Sequence, residues 1–385
     1  MAIIYDGMRR EAFSHIDQTI YMNHCAIGPI PDVSKEAAIR HLEERSSGMI
    51  DTFHFDEESI NGCRSRAAEL INSPSEASIA LISNTSHGLN LISSAIPWQS
   101  GDEIIVSDLE FPANVYPWIW NGRDDTSVVK IDGSDGAVPI ERIEAALTPN
   151  TRVVAISAVQ FLSGYRADLE EISRLCRKHG IYLIVDAIQA AGCCPLDVDQ
   201  LNIDALVTGG HKWLLGPQGL GFMYLSEEFQ TQLNTGNVGW LSVEEPWQLL
   251  NTEQQVLDNA RRFEGGMYNG PGVHVLSHSL ELLNSAGINT IYRHITGLQD
   301  LFLEKIGVGQ DQLFGAGRPR NRSGIMAFRL NEDSDSNVIT EHFKQAGISV
   351  SSREGILRIA PHLYNTQAEI ERVADIWRET GVTIA

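Results

Sequence analysis

Residues 181–189 read Ile181-Tyr182-Leu183-Ile184-Val185-Asp186-Ala187-Ile188-Gln189, and residues 205–217 read Ala205-Leu206-Val207-Thr208-Gly209-Gly210-His211-Lys212-Trp213-Leu214-Leu215-Gly216-Pro217. Each starts as a short apolar run bounded by turn residues. Several successive positions are apolar, with no strict alternation, which fits strands covered on both faces in a mainly parallel sheet. Each run then delivers a charged group into apolar surroundings: Asp186 from the first, Lys212 from the second.

The same signature recurs on both sides. Ser78–Ile82, Glu103–Ser107, Ser127–Ile131, Arg152–Ser157 and Gly221–Leu225 are apolar runs, punctuated by Gly101-Asp102, Pro149-Asn150, Gly180 and Gly216-Pro217. Helical patterns lie between them. In Asp168–His179, Leu169, Ile172, Leu175 and Cys176 share one face, Arg177, Lys178 and His179 supply positive charge at the end, and Gly180 stops the helix. The series predicts a doubly wound α/β domain with its ligands at the carboxyl ends of the strands.

After about residue 265 the pattern changes. Gly265-Gly266 and Asn269-Gly270-Pro271-Gly272 read as a junction. A helix over Val273–Ala286, a strand over Gly324–Leu330, a helix over Ser336–Ala346, a strand pair within Ile348–Ile359 and a closing helix over Gln367–Thr380 are expected, making a smaller α+β domain. The division is a large α/β domain over 21–265 and a small one over 266–385, with 1–20 as an N-terminal segment packing on the small domain.

The formal net charge of the 385 residues is −21. That argues against nucleic-acid or anionic-membrane partners, which need clustered basic charge. No apolar run approaches the ~20 residues needed to span a bilayer, and the first residues lack a secretory pattern. Cys25, Cys63, Cys176, Cys193 and Cys194 show no metal-ligand spacing, so no metal is expected. A reduced, cytoplasmic setting fits them.

Candidate site residues follow the strands. Of six lysines, only Lys212 lies in an apolar, glycine-rich setting. Desolvation lowers the pKa of such an amine and makes it a nucleophile able to form an imine; the plain alternative is a lysine that reaches out to solvent. Asp186 needs a partner, which a protonated pyridine nitrogen would supply; a helix cap is the alternative. Gln189 could reach a ring hydroxyl. Ser83-Asn84-Thr85-Ser86-His87 opens a helix and could bind a phosphate, although hydroxyl caps are common. Phe111 could lie over a flat ring or belong to the core.

With these residues the chain resembles the class V aminotransferases, fold-type I enzymes dependent on pyridoxal 5'-phosphate (PLP) that include cysteine desulfurases and isopenicillin N epimerase-like proteins. The resemblance runs from Tyr21-Met22-Asn23-His24 to Leu363-Tyr364-Asn365-Thr366. It is most specific at Asp186–Gln189, Gly210–Lys212 and Leu357-Arg358-Ile359-Ala360-Pro361-His362. It implies a Schiff base at Lys212, Asp186 on the pyridinium nitrogen and Gln189 on the phenolic oxygen. It implies phosphate binding by Thr85, Ser86 and His211 with backbone help near His87, Phe111 over the ring, Arg358 on a substrate carboxylate, and Asn23 and His24 near the substrate entrance. It also implies a homodimer with sites at the interface.

Four positions depart from the family pattern. Ile348–Leu357 holds no cysteine where desulfurases carry a mobile-loop cysteine, which disfavours a persulfide route. Phe161 stands in place of an asparagine. Gly209 replaces a phosphate-binding serine, for which Thr208 could compensate. Met267 replaces a threonine that reaches the phosphate from the partner subunit. Transamination of an α-amino acid is the first expectation. A β-elimination lyase or an epimerase is the second, and a non-catalytic PLP-binding subunit the last. The side-chain pocket is expected from Val238–Leu241 and Ser351–Gly355.

Overall fold

A two-residue strand β1 (Ile20–Tyr21) leads into helices Asp32–Ser46 and Phe53–Leu70. The apolar runs then form β2 (Ile79–Ile82), β3 (Glu103–Ser107), β4 (Ser127–Ile131), β5 (Thr151–Ser157), β6 (Tyr182–Asp186), β7 (Ala205–Gly209) and β8 (Gly221–Leu225). These make one seven-stranded sheet in the order β2-β8-β7-β6-β5-β3-β4. Only β8 runs against the rest, pairing antiparallel with β2 and β7. This computed structural model describes residues 9, 11–122, 125–315, 319–331 and 334–384.

The continuous apolar runs are explained by cover on both faces. Leu183 and Val185 pack into one buried cluster, while Ile184 packs into another on the opposite face with Tyr182 against it. Helix Leu169–His179 has the expected ends. Asp168 Oδ1 accepts the Glu171 amide at 3.1 Å, and Gly180 closes the helix at φ +68°, where a side chain would be strained. In register, Asp186 is paired with Ser157 of β5 and Val207 of β7, so it ends the central strand with neighbours on both sides. Strand order reverses beside β3, which lies between β4 and β5, and such a reversal opens a crevice at the strand ends.

The C-terminal part carries β9 (Met326–Arg329), β10 (Ile348–Ser349), β11 (Ser351–Arg353) and β12 (Ile356–Ile359). β11, β12 and β9 form an antiparallel sheet in that order, and β1 pairs parallel with β10. Helices Ser336–Gln345 and Gln367–Thr380 bury Phe343 and Trp377 with Phe302 and Phe328 in one core. Thr366 and Glu369 form a reciprocal capping box on the closing helix. Of segment 1–20, residues 1–8 and 10 lie outside the described residues. Phe13 packs on Tyr364 with ring centroids 4.3 Å apart, and Arg9 pairs with Glu369.

Two helical features differ from expectation. The helix expected from Val273 spans Gly270–Ala286, because Asn269 Oδ1 caps it by accepting the Gly272 amide at 3.1 Å. Its Val273, Leu276, Leu280 and Leu283 join the core of the large sheet. Helix Ile288–Ile306 was not foreseen. Its first half contributes Ile291 and Ile295 to that core, and its second half contributes Leu298, Phe302 and Leu303 to the C-terminal one. Among the described residues no helix is long and apolar enough to cross a membrane. All five cysteines are buried and free.

Trp377 meets Phe328 at 4.7 Å and Phe302 at 5.7 Å between ring centroids. Trp377→Ala should therefore destabilise the C-terminal core by about 3–5 kcal/mol. Urea denaturation followed by far-UV circular dichroism reads this as a lowered midpoint.

Candidate active site

The loops that leave β2, β3, β5, β6 and β7 surround a cavity of about 360 Å³. Lys212, Asp186, Arg358, Phe111, Thr85, Ser86, Gln189 and His211 all line it. Residues separated by up to 273 positions in sequence therefore converge where the strand pattern predicted.

Lys212 sits in the loop after β7. The approach of Gly28 holds this loop in place: its amide donates to the His211 carbonyl at 2.8 Å, and a Cβ on Gly28 would lie 2.1 Å from the Lys212 carbonyl oxygen. Burial holds the Lys212 amine below its ordinary range, and Arg358 and Arg353 push the same way, while Asp186 and Cys25 oppose them. Lys212 Nζ lies 5.7 Å from the centre of the Phe111 ring. Phe111 meets Phe161 edge to face at 5.3 Å.

Asp186 is buried, and Oδ1 accepts the Ile188 amide at 2.9 Å. Burial pushes its carboxyl up to about 7. Glu110 adds to the rise, while the Ile188 amide and Lys212 oppose it. Gln189 spans the site floor: Nε2 donates to the Cys25 carbonyl at 2.9 Å, and Oε1 accepts from Trp213 Nε1 at 2.8 Å.

Helix Thr85–Ala95 points its N-terminus at the cavity. Asn84 caps it, Oδ1 accepting the His87 amide at 2.9 Å. Thr85 Oγ1 is buried without a hydrogen-bond partner. A hydroxyl with no partner at a helix N-terminus fits an anionic group such as a phosphate.

Arg358 is buried on β12. Nη1 donates to the Phe161 carbonyl at 2.7 Å and Nη2 to Ser351 Oγ at 3.1 Å, while Nε has no partner. Among the described residues no carboxylate pairs with it. Arg353, on β11, also lines the cavity.

Four sequence candidates fall outside the cavity. Thr208 faces the other side of β7: its hydroxyl contacts the Gly209 carbonyl at 3.2 Å. Successive strand residues alternate faces, so a position beside Gly209 cannot substitute for it. The Gly209 α-carbon does face the site, since a Cβ there would meet His211 and Ile188. His87 turns away to Ser83, its Nδ1 3.1 Å from Ser83 Oγ, and lines a separate cleft with Met267. Its backbone amide is taken by Asn84. His24 is buried with both ring nitrogens engaged, Nδ1 2.7 Å from the Ala360 carbonyl and Nε2 2.8 Å from Tyr364 Oη. Asn23 forms a bridge with Ala360. The loop Val238–Leu241 does not line the cavity either, unlike Arg353 from the other expected wall.

Glu110 and Cys25 lie at the site without a role expected from the sequence. Glu110 is buried and accepts the Ser157 amide at 2.7 Å, Gln160 Nε2 at 2.8 Å, Asn114 Nδ2 at 3.0 Å and the Ser157 hydroxyl. Its place two residues after Ser107-Asp108, among apolar neighbours, carried the same signal as Asp186. Cys25 lines the cavity, with Sγ 3.7 Å from Ser351 Oγ.

A profile of the family described as "Aminotransferase class-V" matches residues 37–373. The chain belongs to this family. It is 30% identical over 342 residues to a probable cysteine desulfurase of Methanothermobacter thermautotrophicus, covering 83% of each chain. It is 27% identical over 312 residues to the uncharacterized aminotransferase YcbU of Bacillus subtilis, covering 81% of each. The apo cysteine desulfurase of Thermococcus onnurineus shares the fold with a TM-score of 0.86, 21% identity and 99% coverage of both chains. The cystine C–S lyase C-DES, solved with its product cysteine persulfide, superposes with a TM-score of 0.84 at 22% identity, covering 94% of this chain and 98% of its own. The class-V chain described here is thus a PLP-dependent enzyme by family.

The raised Asp186 carboxyl gives a signed prediction for the cofactor-free protein. Its folded value of about 7 exceeds the ordinary 3.8. The folded state keeps a proton that the unfolded state has lost, so this group's contribution to stability falls as pH rises through that window. Cofactor-free Asp186→Asn should gain thermal midpoint over cofactor-free wild type at pH 8, and less at pH 5. A gap that does not change with pH counts against the assignment.

Proposed function

We propose that the protein binds PLP at Lys212 and transfers the amino group of an α-amino acid. The observation that supports this most is one cavity lined by a half-buried amine, a buried carboxylate and a buried arginine without a carboxylate partner among the described residues. Lys212 Nζ would hold the cofactor covalently, Asp186 its ring nitrogen, and Gln189 its phenolic side. Thr85, Ser86 and His211 would hold its phosphate, and Phe111 would cover the ring.

When bound, the ring acts as an electron sink that makes the substrate Cα–H acidic. A cationic ring nitrogen beside Asp186 favours the ionised carboxylate and reverses the effect of burial. Arg358 has two nitrogens fixed by Phe161 and Ser351 and is aimed to take a planar carboxylate. Anchoring the carboxylate there turns Cα toward Lys212 Nζ, which burial keeps ready to accept and return its proton.

The persulfide route has no loop thiol to use: Ser351–Arg358 is a tight hairpin without cysteine. β-Elimination on the same scaffold is the second reading, favoured by the likeness to desulfurases and to a C–S lyase. A homodimer is also proposed. Ile30, Val33, Leu42, Ile50 and Leu250 are exposed apolar side chains, and exposed apolar surface of this kind favours association.

Incubation with a panel of α-amino acids should convert the cofactor absorbance to that of its amino form, with release of the matching 2-oxo acid. Pyruvate released with no acceptor and no amino form would establish elimination instead. Arg358→Ala should raise the donor KM about tenfold or more, through lost charge-assisted hydrogen bonds, with Arg358→Lys recovering only part. Sedimentation should give twice the single-chain mass.

A further inference from the structure

Far from the cavity, two imidazoles and a carboxylate from three separate helices face one another. His41 lies on helix Asp32–Ser46, Asp56 on Phe53–Leu70 and His274 on Gly270–Ala286. One donor atom from each lies within 4.8 Å of the other two. We propose that these three residues bind one divalent transition-metal ion of the zinc type, which ties the three helices together.

Asp56 Oδ1 is 3.1 Å from His41 Nδ1 and 3.1 Å from His274 Nε2. Donors about 2.1 Å from a tetrahedral ion are about 3.4 Å apart, close to these separations. The contact with His41 is not a hydrogen bond despite its length. Its side chain is 1% exposed, and neither ring nitrogen has a hydrogen-bond partner. A buried imidazole normally has at least one. A lone pair aimed beside the carboxylate, and not a donor aimed at it, is what a shared ion needs.

The surroundings orient the other two ligands. Ser59 Oγ lies 2.9 Å from His274 Nδ1, which leaves Nε2 to face Asp56. Thr52 Oγ1 donates to Asp56 Oδ2 at 3.2 Å, which leaves Oδ1 for the ion. Such outer hydrogen bonds fix tautomer and orientation in metal sites. Gly270 is needed for the ring to sit there, since a Cβ would lie 2.8 Å from His41 Nε2. Two nitrogens and one oxygen suit zinc and its first-row neighbours better than calcium or magnesium. Asp56 and His274 keep 12% and 16% side-chain exposure, so water can complete the shell. The ligands are 15 and 218 positions apart, too scattered for a spacing motif.

None of the three residues lines the active-site cavity, so the test is independent of the proposed reaction. PLP-loaded protein is stripped with a chelator, given Zn²⁺, passed through gel filtration and analysed for metal. About one ion per chain and a raised thermal midpoint are expected, since an ion bound only by the folded state stabilises it. Co²⁺ should give a visible d–d band. Asp56→Asn, which keeps the side chain's shape, and His274→Ala should each lose the ion, the band and the stabilisation while keeping the cofactor absorbance that reports folding. Wild type retaining no more Zn²⁺ than Asp56→Asn overturns the proposal, as does a Co²⁺ band that survives in folded variants.

Discussion

Three charged groups, Asp186 and Arg358 buried and Lys212 half-buried, line one cavity without forming ion pairs with one another among the described residues. Burying an unpaired charge costs several kcal/mol even after relaxation. The fold meets that cost locally. The Asp186 carboxyl takes the Ile188 amide and is pushed toward its neutral form; the Lys212 amine is pushed toward its neutral form as well. Arg358 donates Nη1 to the Phe161 carbonyl and Nη2 to the Ser351 hydroxyl. Arg358 Nε and Thr85 Oγ1 stay without a hydrogen-bond partner beside the same cavity.

Glu110 shows how the loops are tied together. Its four donors come from its own loop, from the end of β5 and from the loop after it. The carboxylate therefore locks the segment that carries Phe111 onto Ser157, which lies in register with Asp186. Burial raises the Glu110 carboxyl while these donors lower it, and its charge feeds into the Asp186 shift. The Glu110 carboxylate thus ties the Phe111 segment to the strand end beside Asp186 and adds to the rise of the Asp186 carboxyl.

The sheet was legible because burial on both faces writes itself as uninterrupted apolar runs. β3, β4 and β8 begin and end where their runs do, and Asp186 and Lys212 stood out as charges in apolar text. The helices Asp32–Ser46 and Phe53–Leu70 were not legible. The first buries Asp32, Ser34, Ala37 and His41, so its inner face looks polar. Thr208, His87 and His24 misled for a related reason. A sequence places a side chain near a strand end or helix start, but the face it takes depends on strand alternation and on which neighbour claims its hydrogen bonds. Ser83, the Ala360 carbonyl and Tyr364 made those claims, and each is visible only in three dimensions.

The setting of Arg358 separates this chain mechanically from a mobile-loop design. β11 and β12 are joined by the two residues Glu354 and Gly355, at φ +47° and +75°, the paired left-handed geometry of a tight hairpin. That turn fixes the register in which Ser351 lies opposite Arg358, and Arg358 is paired on its other side with Ala327 of β9. A one-residue slip would send the guanidinium to the opposite face. The Arg358 guanidinium is thus held by a three-stranded ladder, and the turn between β11 and β12 is only two residues long. The fixed place of Arg358 and the shortness of this hairpin follow from the same turn.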